Sequence, residues 1–99
     1  MSNYVLAFRG QPGRTPSPDE EQQWGAWFGG LGPAITDRGN RVGAVRTLRG
    51  NEGSDPGSEV ITGYVVIGAA DADEAARLAA GCPGLRNGVS VEVAEIVAT

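Results

Sequence analysis

The chain has no histidine, and Cys82 is its one cysteine among 99 residues. Without histidine and with a lone thiol, the usual zinc sets and nucleophile–histidine pairs cannot be assembled, and an internal disulfide is excluded. Long apolar runs are missing as well. Tyr4 to Phe8 and Tyr64 to Ile67 fall far short of the roughly 20 residues a membrane helix needs. No secretory signal precedes the first strand-like run, so the expected compartment is cytoplasmic. An excess of positive charge is also lacking: the net charge is −4 and the arginines are scattered, which argues against nucleic acid as a partner. Gly10-Gln11-Pro12-Gly13 has no Lys-Ser/Thr behind it and is a loop rather than a phosphate cradle. No cofactor and no metal are expected.

What is present describes one folded domain, residues 1–99. The hydrophobic fraction of 40% and charged fraction of 20% are ordinary globular usage, and a chain of this length supports a single core. Asn3 to Arg9 is a continuous run of strand formers, as expected of a central strand covered on both faces. Ser17-Pro18-Asp19-Glu20 opens a helix, with Ser17 as cap, Glu20 reaching back, and early acids at the positive end of the dipole. Trp24, Trp27, Phe28 and Leu31 follow at spacings of three and four, which makes one helix face aromatic and buried. Pro33 lies near the helix end, and Asp37 to Asn40 reads as the closing turn.

Arg41 to Arg49 alternates as an arginine-bearing edge strand, and Gly50 to Glu59 reads as a flexible connection. Val60 to Ala69 is a second two-faced strand. Asp71 caps another helix with Glu74 three residues on, and Gly81 ends it before Pro83. Val89, Val91 and Val93 alternate as a last strand. The order β-α-β-β-α-β is the ferredoxin-like α+β arrangement: a four-stranded antiparallel sheet, two helices on one face, and the first and third strands in the middle. Those strands are apolar on both sides, so the free sheet face calls for a cover, and a second copy of the chain is the simplest one. A homodimer is expected.

Three residues are candidates for a site. Asp37 can serve as a base if desolvated, or it stabilises the turn it sits in. Arg46 can grip a ligand carboxylate with two parallel bonds, or it is an edge-strand charge. Tyr64 can hydrogen-bond a ligand from the central strand, or it packs at a subunit contact. With histidine absent, the charge complement of any ligand site has to come from arginine and carboxylate, so small anions are the ligand class expected. Cys82 follows a helix C-terminus, where the negative dipole end opposes thiolate formation, and is read as structural.

Several stretches resemble the YCII-related family, which includes the DGPF-domain proteins. They are the Tyr4-Val5-Leu6 start, the Ser17-Pro18-Asp19-Glu20 opening before Trp24, the strand Thr62-Gly63-Tyr64-Val65-Val66-Ile67, the Ala72-Asp73-Glu74-Ala75 helix running to Gly81-Cys82-Pro83, and Gly88 to Val93. The resemblance spans nearly the whole chain and implies a dimeric ferredoxin-like α+β fold of the α+β barrel type. It also suggests enzymatic activity resting on a histidine of the first helix and an aspartate just after the first strand. Here there is no histidine, Gly10 stands where the acid is expected, Ser54-Asp55-Pro56-Gly57 replaces the Asp-Gly-Pro-Phe turn, and Gly84 follows Pro83 where related chains carry histidine. Two functions stay open: a homodimeric small-molecule-binding protein or cofactor-independent enzyme, and a non-catalytic interaction or structural domain that has lost the family's His/Asp site.

Overall fold

The chain folds as expected in class, βαββαβ, in a computed structural model that describes residues 1–48, 50 and 59–98. The elements are β1 (Ser2–Gly10), α1 (Pro18–Leu31), β2 (Ile35–Arg41), β3 (Val60–Ala69), α2 (Ala72–Ala79) and β4 (Ser90–Glu95). All pairings are antiparallel and the sheet order is β2-β3-β1-β4, which puts the two most apolar strands in the middle. Their inward side chains alternate as a strand period of two demands: Tyr4, Leu6 and Phe8 from β1 and Val65, Ile67 and Ala69 from β3 are buried. Leu31 of α1 and Ala75 and Ala79 of α2 close the same core, so both helices cover one sheet face.

Each helix starts where its cap is. Ser17 Oγ accepts from the Glu20 amide at 3.1 Å, and Asp71 Oδ1 accepts from the Glu74 amide at 2.9 Å. Glu74 reaches back to accept from the Ala70 amide at 2.8 Å, satisfying a second donor at the same helix end. Trp27 then ties the two helices together by donating its indole N–H to the Leu78 carbonyl at 3.1 Å. No helix among the described residues is long and apolar enough to cross a membrane.

The second strand differs from the expectation. The helical segment stops at Leu31, because Gly32 takes φ +49° and Pro33 cannot donate, and a three-residue 3₁₀ turn, Gly32–Ala34, leads straight into β2. The strand expected over Arg41 to Arg49 therefore lies at Ile35–Arg41, still at the sheet edge. Arg38-Gly39-Asn40 does not turn the chain; it forms an irregularity in the ladder. Gly39 (φ +65°) rests so close to the Tyr64 backbone that a Cβ would fall 1.9 Å from its carbonyl oxygen, so only glycine fits. Beyond one further bond, Val42 N–H to the Thr62 carbonyl at 3.0 Å, the described chain leaves β2. Arg49 and the expected connection with its Ser54-Asp55-Pro56-Gly57 stretch lie outside the described residues, Gly50 and Glu59 excepted.

Away from the helices, the other sheet face presents Val5, Ala7 and Arg9 of β1 opposite Val66, Tyr64 and Ile61 of β3. All six are partly exposed.

Candidate functional site

A cleft lies between α1, the loop after β1 and the segment after β2. In the sheet, Phe8 of β1, Gly63 of β3 and Arg41 of β2 stand in one cross-strand row. Directly paired residues point to the same face, so Phe8 and Arg41 both project toward the helix side, on either side of the buried Gly63. The cleft beside this row has a volume of about 630 Å3, within the range of small-molecule sites. Trp24 and Phe28 of α1 extend its wall, packed around Phe8 with ring centroids 4.9 and 6.5 Å away and near-perpendicular planes. Such edge-to-face contacts are a favoured aromatic geometry. The loop after β1 and the segment after β2 form the two sides.

Among the described residues, three arginines line it: Arg14, Arg38 and Arg41. Arg14 is paired with Glu20, whose side chain is only 5% exposed and which also accepts the Trp24 indole N–H at 3.0 Å. Burial alone would raise the Glu20 pKa, but the hydrogen bonds from Arg14 and Trp24 and the Arg14 charge outweigh it and hold the carboxyl below its usual range. Glu20 was expected to reach back over the helix start; instead it faces the cleft, because the pairing with Arg14 and Trp24 is available there. The next residue, Glu21, pairs with Arg41 at 3.7 Å near solvent. Consecutive carboxylates of one helical turn thus clip both sides of the cleft to α1.

The sequence candidates fare differently. Tyr64 borders the cleft through its place in β3, but its side chain stands on the open sheet face with Ala7, and its hydroxyl accepts from Asn40 Nδ2 at 3.1 Å. Asp37 lies in β2, exposed and outside the cleft lining, and its Oδ1 accepts from the Gly39 amide at 2.8 Å. Its contact is the local, backbone-stabilising one. Arg46 is exposed beyond the end of β2; its neighbour Val45 lines the cleft and Arg46 does not. None of the three candidate side chains is thus among the groups that face the cleft from the helix side. Cys82 is fully buried, and burial pushes its thiol pKa up, offset in part by backbone hydrogen bonds from Gly84 and Leu85.

Sequence reasoning missed Arg14, Glu20 and Arg41. A signal for Glu20 existed: it lies four residues before Trp24 and eight before Phe28, hence on the buried face of the helix. For Arg14, in a loop, no periodic signal exists.

One family model, described as the YCII-related domain, matches residues 18–97. No curated protein matches the chain.

Proposed function

Because the chain belongs to the YCII-related family, we propose that it is a homodimeric binding protein for a small anion with an apolar body. The observation that carries this reading is the cleft itself, with an aromatic wall of Trp24 and Phe28 backed by the buried Phe8 on one side and arginines on the rim. A site of this kind supplies apolar burial for the body of a ligand and a few charged groups for its orientation. Binding is favoured over acid–base catalysis on chemical grounds. Among the described residues Glu20 is the buried carboxylate of the site, and a group kept ionised by Arg14 and Trp24 is a poor proton acceptor. The homodimer is supported by the half-covered apolar strands on the open sheet face.

The test is a thermal-shift panel of small aromatic and aliphatic carboxylates, each beside its neutral amide. A ligand bound to the folded state raises the melting temperature by mass action. Stabilisation by aromatic carboxylates is the expected result. No stabilisation by any member would favour the alternative, a non-catalytic interaction domain.

A further inference from the structure

The two ion pairs of the cleft differ in a way that separates their roles. Arg14 and Glu20 have side chains 28% and 5% exposed, whereas Arg41 and Glu21 are 78% and 51% exposed. Withdrawing Arg14 toward a ligand would leave Glu20 buried and uncompensated, which is strongly unfavourable. Withdrawing Arg41 from Glu21 costs little, since both groups then return to water. Arg41 also ends the Phe8-Gly63-Arg41 row. With strands about 4.8 Å apart, the Phe8 and Arg41 backbones are separated by roughly 10 Å, which sets the exposed Arg41 at the solvent side of the cleft and the buried Phe8 at its base.

We propose that Arg41 is the residue that binds the ligand's anionic group, and that Glu21 occupies it in the unliganded protein. The ligand class that fits is a planar aromatic monocarboxylate of about two fused rings, its rings against the half-buried Trp24 and Phe28 and its carboxylate on Arg41, with Glu21 displaced. Arg14 stays with Glu20 and serves as fixed wall. This assignment rests on the binding reading above and adds to it the identity of the cation and of its competitor.

The experiment is calorimetric titration with 2-naphthoate and its neutral counterpart 2-naphthamide, on the wild-type chain and on Arg41→Gln, Arg38→Gln and Glu21→Gln. Wild type should prefer the carboxylate. Glu21→Gln should tighten naphthoate by about two- to fivefold, the value of an exposed ion pair, and leave naphthamide unchanged. Arg41→Gln should abolish the preference, with naphthamide binding as an internal control for folding. If Arg38→Gln abolishes it instead, or if Glu21→Gln leaves naphthoate affinity unaltered, the assignment is overturned. Naphthamide bound as tightly as naphthoate by wild type removes the assignment and leaves the binding reading standing; neither probe binding removes both.

Discussion

Trp24 donates its indole N–H to Glu20 Oε2 at 3.0 Å, one turn back along α1, so the aromatic wall and the buried charge of the cleft are a single unit. Replacing either partner disturbs both. The unit has a pH signature whose sign is fixed by the lowered Glu20 pKa. The unfolded state takes up the proton first as pH falls, so the contribution of the ionised carboxylate is complete above the ordinary carboxylate range and is lost as pH drops through the folded-state value. Urea denaturation of wild type and Glu20→Gln between pH 7 and pH 3 checks this. The gap between the two proteins should narrow on acidification, and a gap independent of pH would show that the pairing carries no stability.

Two glycine substitutions should act in opposite directions. Gly25 lies inside α1 with open space where a Cβ would go, so Gly25→Ala should stabilise by about 0.5–1 kcal/mol. At Gly84 a Cβ would fall 2.8 Å from both Trp24 Cζ2 and Val89 Cβ. Gly84→Ala should cost about 1–3 kcal/mol as those side chains are forced aside. Denaturant midpoints at constant slope are the measurement, and equal signs would show that the packing at Gly84 yields freely.

The architecture was legible in the sequence because its signals are local and redundant. The Ser17 and Asp71 caps, the Trp24 to Leu31 stripe and the apolar runs of β1 and β3 each name an element without help from the rest. β2 was displaced by several residues because Ile-Thr-Asp-Arg-Gly-Asn-Arg has almost no alternation. Pairing with β3 decides its place, and Gly39 reads as a turn until the Tyr64 carbonyl is found against it. The site was the least legible part. It depends on Phe8, Gly63 and Arg41 meeting across three strands, a register no linear spacing reveals. Tyr64 stands in a strand that was itself legible, but its alternation places the side chain on the open sheet face.

The α1 stripe and its cap should separate energetically. Ser17→Ala removes one capping bond and should cost about 1 kcal/mol. Phe8, 4% exposed and in contact with both tryptophans and Phe28, is the centre of the cluster, so Phe8→Ala should cost about 3–5 kcal/mol. Trp27→Ala should fall between them, since the ring is half-buried and its loss also frees the Leu78 carbonyl. Chemical denaturation of the three variants tests the order, and a Phe8→Ala cost near that of the cap would place the cluster outside the core.

Cys82 should be chemically silent in the folded protein. It is fully buried and its thiol pKa is raised chiefly by that burial, so both access and thiolate fraction are low. Ellman's reagent at pH 8 should titrate no thiol within minutes in buffer and one per chain in denaturant. Rapid reaction in buffer would mean that the end of α2 opens readily.

The open sheet face gives the last prediction. Val5 and Val66 stand directly opposite each other on it, with Ala7 and Tyr64 as the next pair, and the ion pair Arg9–Glu92 at 3.6 Å marks its edge. An apolar centre with a charged rim is the pattern of a protein interface, and two copies facing each other would cover the apolar centre of both. Light scattering at micromolar concentration should therefore give about twice the chain mass of 10.2 kDa. Val66→Glu would bury an unpaired carboxylate at the centre of such an interface, which is unfavourable by several kcal/mol, so the variant should run as a monomer. On a solvated face the same substitution would shift stability by no more than about 0.5 kcal/mol. A wild-type mass near that of one chain at every concentration, or a Val66→Glu variant that stays dimeric, would show that this face is not where two copies meet.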